Sequence, residues 1–276
     1  MRTRITIAPF AKTDGMGVLA EILSQKHISI VAVGSMACIG GIKTTAKQLN
    51  AEARIFVRGL TAREYALGNN SSYIKELLEM ALQRPQTRGV IVYCSCLDVL
   101  TNFMEAEILE ELNNEKSIPI EFLYRGPLVK RKTPPRIALN KIWHKWGIVP
   151  EPLKEKSVIL CDNSVKIDFG EAILAESLEE NILIITPGGC TSCLQSLTNI
   201  EKYKLFYTRF DDIFLSSFQP RQLAEIIAAY FPKEEPLLLL GTAVIKVIGI
   251  SLEELCAELR LVGFSVRYIA TDGFAK

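Results

Sequence analysis

Short apolar runs, each followed by a stretch of helical periodicity, recur from one end of the chain to the other, and this alternation leaves little choice of fold. Ile28–Val33, Ala53–Val57, Gly89–Tyr93 and Ile120–Tyr124 are apolar for most of their length. Runs of this kind suit strands buried on both faces, as in a parallel sheet. Between them, Gly41–Gln48, Ser72–Leu82 and Phe103–Asn113 place apolar residues at helical spacing with charges on the other face. The same order returns with strands at Ile182–Thr186, Leu205–Tyr207, Leu237–Leu240 and Ser265–Ile269 and helices at Gln219–Tyr230 and Ser251–Val262. The expected fold class is α/β, with two Rossmann-like parallel-sheet domains forming an internal pseudo-twofold repeat.

A chain of 276 residues has room for two such domains. The sequence reading sets a first lobe at 1–130, a connector at 131–156 rich in proline, lysine and arginine, and a second lobe at 157–276. Lys plus Arg number 32 against 31 Asp plus Glu, so there is no electrostatic footprint for nucleic acid or an anionic membrane. Hydrophobic content of 49% belongs to buried strands, since no apolar run reaches bilayer length. The apolar stretch near Met1 ends at Lys12 and Asp14, too short for a signal-peptide core, and the expected location is cytoplasmic. Seven cysteines in that setting point to metal or redox chemistry rather than disulfides.

Four anchors support the duplication. Ala8–Gly17 matches Cys161–Gly170, Gly34–Cys38 matches Gly189–Cys193, Thr61–Leu67 matches Arg209–Leu215, and Val92–Leu97 matches Leu239–Val244. Cys38, Cys96 and Cys193 fall where a strand ends and a helix begins, the edge at which parallel sheets hold ligands. Cys161 closes a strand read at Val158–Leu160. The first copy has cysteine at the second and third anchors and the second copy at the first and second, so two lobes would present two thiolates each. Four thiolates are what a 4Fe-4S cluster requires. Cys94 lies two before Cys96 and either replaces it as a ligand or packs in the core. Cys190 and Cys193 form a C-x-x-C pair, a spacing shared by zinc, redox and iron-sulfur sites. Cys256 lies on an apolar helical stripe with Leu252, Leu255 and Leu259 and reads as core.

Other chemistries find little support. His27 and His144 stand outside any metal-ligand or triad spacing. Gly34–Thr45 has the small residues of a phosphate cradle, but Ile42 stands where a glycine should precede Lys43. Glu64 and Asp212, at equivalent anchors, are candidate proton relays or ordinary turn carboxylates.

The anchors resemble those of the nitrogenase component 1-like oxidoreductase family, whose relatives include light-independent protochlorophyllide reductase. Gly34-Ser35-Met36-Ala37-Cys38 resembles the family's glycine-to-cysteine turn, Leu60–Gly68 its acidic stretch, and Val92–Leu97 its strand-end cysteine segment. Thr242–Gly249 is similar to that last segment with Ala243 in the cysteine's place, and Arg125-Gly126-Pro127 and Asp272-Gly273-Phe274 resemble the turn closing the family's first domain. The resemblance covers nearly the whole chain as two copies of that first domain, without the domain that carries the nitrogenase active-site cofactor.

It implies an iron-sulfur electron-transfer oxidoreductase component that does not itself reduce dinitrogen. The 4Fe-4S cluster would lie between the lobes on Cys38, Cys96, Cys161 and Cys193, with Cys94 and Cys190 the lesser candidates. The implied partner is an ATP-dependent iron-sulfur reductase protein, and a homodimer is left open. The alternative is a non-catalytic metallocluster scaffold or carrier.

Overall fold

The computed structural model describes residues 5–10, 17–68, 70–100, 105–110, 112, 117–125, 133–150, 178–186, 200–210 and 219–270. The chain forms two compact units, Asp14–Val165 with Phe274–Lys276, and Lys166–Gly273 with Met1–Thr13. Both are α/β units built on sheets that are wholly or mostly parallel.

The first unit holds a four-stranded parallel sheet. Its strands are β2 (Ile28–Gly34), β3 (Ile55–Gly59), β4 (Gly89–Cys94) and β5 (Ile120–Tyr124), in the order β3-β2-β4-β5. Every residue of β2 and β4 is buried, as expected for central strands covered on both faces. The helices Gly17–Ser24 and Met36–Gln48 pack Leu19, Ile22, Leu23, Ile39, Ile42 and Ala46 into one core with Ile30, Ala32 and Ile91. Arg54 is buried beneath this core and donates to the carbonyls of Leu23, Gln25 and Ile28. It thereby supplies the cation that the last turn of Gly17–Ser24 lacks in its own sequence.

The second unit holds a five-stranded sheet in the order β1-β7-β6-β8-β9, with β1 at Thr6–Pro9, β6 at Asn181–Ile185, β7 at Lys204–Arg209, β8 at Leu237–Gly241 and β9 at Val266–Ala270. β6 to β9 are parallel, and β1 pairs antiparallel to β7 with Thr6 opposite Arg209 and Pro9 opposite Phe206. The helices Pro220–Tyr230 and Leu252–Leu261 bury Leu223, Ile227, Leu255, Cys256 and Leu259 against Leu183, Leu237 and Leu239.

Strand order repeats between the units: β7-β6-β8-β9 is the order β3-β2-β4-β5 again. Strand ends fix the register of the repeat. β4 ends at Cys94 and β8 at Gly241, each followed by one residue and a helix, at Cys96 and Ala243. Cys94 pairs with Tyr124, the last residue of β5, and Gly241 with Ala270, the last of β9. Val31 lies beside Phe56 and Val92 as Leu183 lies beside Phe206 and Leu239. The anchor Val92–Leu97 with Leu239–Val244 therefore holds.

Two other anchors move. Gly59 aligns with Arg209, which shifts the third anchor by two residues, and Gly34 aligns with Thr186 rather than Gly189. Ala8 lies in β1, whose partner is β7, so the first anchor does not describe a strand of the first sheet. Cys161, the other half of that anchor, lies outside the described residues.

The lobe boundaries also differ from the sequence reading. The N-terminal segment, set within lobe 1–130, forms a strand of the second sheet, where Ile5 and Ile7 pack against the core. The stretch 131–156 includes the helix Pro135–Trp146, which buries Leu139, Ile142 and Trp143 in the first unit's core and stops at Gly147, at φ +65. Its proline and basic residues suggested a linker, yet Pro135 sits in the first turn, where a missing N–H costs nothing.

Candidate functional site at the strand ends

In a sheet ordered β3-β2-β4-β5, the chain leaves β2 toward one edge and β4 toward the other. The carboxyl ends of β2 and β4 therefore flank the topological switch point, where open α/β sheets bind ligands. Cys38 lies four residues past the end of β2, in the first turn of Met36–Gln48, and its amide donates to the Ser35 carbonyl at 2.9 Å. Cys94 is the last residue of β4, and Cys96 is the first of the short helix Cys96–Leu100. The first unit thus brings three sequence-selected cysteines to one crevice edge. Cys38 is half-buried and Cys94 is buried.

Polar side chains brace the same edge. Arg125 follows β5, donates its amide to the Cys94 carbonyl at 2.8 Å and its guanidinium to the Tyr93 hydroxyl at 2.8 Å. Burial pushes the Tyr93 phenol up; Arg125 opposes that shift and the charge of Cys38 adds to it, so all three share one neighbourhood. Asp98 is buried and accepts from the Ser95 amide at 2.6 Å, from the Ser95 hydroxyl at 2.9 Å and from Asn70 at 3.5 Å. Desolvation raises its pKa while these donors pull it down. Tyr124 donates to Glu105, and burial raises its pKa first, with that hydrogen bond and the Cys94 charge adding.

Of this polar set, Tyr93, Asp98 and Tyr124 are not repeated in the second unit. The register puts Leu240 at the place of Tyr93, Gly241 at Cys94, Ile245 at Asp98 and Ala270 at Tyr124. Sequence reasoning passed over Tyr93, Asp98 and Tyr124; aligning the two copies position by position would have marked them as polar residues where the repeat is apolar.

At the second switch point, between β6 and β8, the described residues are hydroxylic. Thr186 is fully buried, and the Thr208 hydroxyl accepts from its amide at 2.8 Å and donates to its carbonyl at 2.7 Å. Thr242, equivalent to Ser95, is also buried. Cys190 and Cys193 stand four and seven residues beyond Thr186 and, with Cys161, lie outside the described residues. Since Gly34 aligns with Thr186, Cys190 rather than Cys193 is by count the counterpart of Cys38.

Whether these residues suit an iron-sulfur group can be tested on the polar atoms around them. Among the described residues the Thr186 hydroxyl oxygen is buried without a hydrogen-bond partner, at the strand end that leads to Cys190 and Cys193 in the sequence. The donors are thiols at switch points, the ligand type such clusters take. Among the described residues no group of three or more His, Cys, Asp or Glu side chains is gathered to hold a metal, and the side chain of Cys96 is not among those described. Cys38 and Cys94 supply the thiol ligand type at one strand-end edge, and Cys161, Cys190 and Cys193 lie outside the described residues.

The remaining candidates have structural roles. Cys256 is fully buried and its thiol is pushed up to about 11 by desolvation. Gly40 to Thr45 lie inside the helix Met36–Gln48 instead of forming a phosphate loop. Glu64 closes a capping box with Thr61 and accepts from Tyr73 and Arg58; Asp212 lies outside the described residues. His144 is exposed at the end of its helix. Among the described residues no helix is long and apolar enough to cross a membrane. In comparisons with known proteins, no family model, curated protein or solved structure matches the chain.

Proposed function

We propose that this protein is a nitrogenase-like iron-sulfur electron-transfer oxidoreductase component. The observation that supports it is the placement of Cys38, Cys94 and Cys96 at the carboxyl ends of β2 and β4, the switch point of a parallel sheet. The thiolates of this reading are Cys38, Cys96, Cys161 and Cys193, with Cys190 the substitute for Cys193 that the count from the strand end favours. A bound 4Fe-4S cluster supplies one-electron transfer. An ATP-dependent iron-sulfur reductase would be its electron donor.

The chain's own residues provide the surroundings. Arg125 adds positive charge beside Cys38 through its contact with Tyr93, which favours an anionic group at that edge. Asp98 and Ser95 hold the turn from β4 into Cys96–Leu100, and so fix where Cys96 enters.

Anaerobic purification, iron and sulfide analysis, and EPR of the dithionite-reduced protein test this. About four iron and four sulfide per bound cluster, lost on Cys38→Ser and Cys96→Ser, is the expected result. Iron at background in the wild-type protein sinks it. A scaffold or carrier differs in releasing its cluster to an apo-acceptor, whereas an electron-transfer component keeps it through repeated reduction and oxidation.

A further inference from the structure

The amino-terminal edges of the two sheets differ in charge at positions the repeat makes equivalent. Strand register puts Arg54, just before β3, at the place of Lys204, which opens β7, and Ser29 at the place of Asn181. The helices Asn70–Gln83 and Pro220–Tyr230 end at matching distances before β4 and β8. Arg84 is therefore the counterpart of Phe231, and Arg88 of Glu235.

In the second unit this edge is neutralised from within. Glu235 pairs with Lys204 at 3.6 Å and accepts from the Asn181 side-chain amide at 2.7 Å. Phe231 is buried, with its ring 4.9 Å from that of Phe206, two residues past Lys204. In the first unit Arg88 replaces the carboxylate and Arg84 replaces the ring, so cations stand where the repeat has an ion pair and an apolar plug.

The two guanidiniums are only partly accommodated. Arg54 is buried and donates to the carbonyls of Leu23, Gln25 and Ile28, which fix its plane but carry no charge to match its own. Arg84 is half-buried, and its Nη1 is buried with no hydrogen-bond partner among the described residues. Burial lowers the Arg54 pKa and the Arg84 charge adds to that shift, so the two cations share one field. Among the described residues no carboxylate pairs with Arg54, Arg84 or Arg88. A buried N–H without an acceptor is destabilising, most of all on a charged group, and a like charge nearby adds to the cost.

We propose that the first unit binds a small oxyanion, a phosphate or the carboxylate of a small acid, at this edge, between Arg54 and Arg84 and beside Arg88, in the place that Glu235 fills in the second unit. Guanidinium presents paired N–H groups that match such an anion. One of the two is fixed on three carbonyls and the other holds a buried N–H in reserve, so the receptor is set before the anion arrives. The site lies at the end of the strands opposite the cysteines and does not rest on the iron-sulfur reading.

The test uses the full-length protein, titrated with inorganic phosphate and separately with sodium acetate, against sodium chloride at equal ionic strength. Binding is read by isothermal titration calorimetry and by Tm. The expected result is saturable binding of at least one of the two oxyanions with a rise in Tm of about 3 °C or more, and the one that binds identifies the class. Arg84→Phe, which installs the residue of the second unit, should weaken that binding by about tenfold or more. Arg88→Glu, which restores the carboxylate of the repeat, should weaken it likewise and raise Tm in the absence of anion.

A wild-type protein that responds to neither oxyanion beyond its response to chloride overturns the proposal. Binding undiminished in Arg84→Phe overturns it as well. So does an Arg88→Glu variant less stable than wild type without anion, because the edge would then not be short of negative charge. None of these outcomes bears on the iron content of the protein.

Discussion

Trp143 donates its indole N–H to the Glu21 carboxylate at 2.8 Å, joining the helix Pro135–Trp146 to the helix Gly17–Ser24 across more than a hundred residues of chain. Arg136 pairs with the same carboxylate. The helix is therefore part of the first unit, and fragments can show it. Leu139, Ile142 and Trp143 are buried to 5% exposure or less, and at about 1.5–3 kcal/mol per large apolar side chain their loss is comparable to the whole stability of a domain. A fragment of residues 14–130 should show lost near-UV circular dichroism and bind a hydrophobic dye, while 14–150 should unfold cooperatively in urea. Equal cooperativity of the two would contradict this account.

β1 covers the outer edge of β7, and Ile5 and Ile7 pack on the second core. Removing residues 1–10 should expose that edge. Amide exchange in Lys204–Arg209 is expected to accelerate by at least tenfold, with exchange in β2 and β4 unchanged. Uniform protection in the truncated protein would show that the edge does not depend on this strand.

Gly89 opens β4 beneath a tryptophan ring. A Cβ there would stand 2.7 Å from Trp146 and 3.0 Å from Ile28, and the half-buried Trp146 ring is packed against the core. Gly89→Ala should cost about 1–3 kcal/mol, read as a lower urea midpoint with an unchanged slope. Its combination with Trp146→Leu should cost less than the sum of the two single changes.

The Glu64 carboxyl is held down to about 2 from an ordinary 4.5, first by the Thr61 amide, then by the Thr61 hydroxyl, with Tyr73 and Arg58 adding and desolvation opposing. A depressed carboxylate stabilises the fold fully above its unfolded pKa, and the contribution is lost as pH falls through the folded value. Between pH 4.5 and about 2, stability should therefore decline less steeply in Glu64→Gln than in wild type. Parallel curves over that window would remove Glu64 from the acid response.

The eight parallel strands were legible in the sequence because central strands are apolar on both faces and need no knowledge of their partners. The helix Met36–Gln48 begins five residues before the reading that started at Gly41, since Met36-Ala37-Cys38 carries no periodic charge to mark a helix face. Strand-end cysteines in the first unit were equally legible. Each lies within four residues of the end of an apolar run, and strand ends are where such runs stop.

What the sequence by itself determined is the repeated α/β plan and the bringing of Cys38, Cys94 and Cys96 to strand ends, because burial periodicity and chain order are local properties. Only the tertiary structure decided that β1 pairs with β7, that Pro135–Trp146 completes the first core, and that Gly34 corresponds to Thr186. Those facts depend on which edge is left unpaired, which apolar surface remains to be covered, and where neighbouring strands fall in register. They are settled between residues far apart in the chain, where spacing along it carries no information.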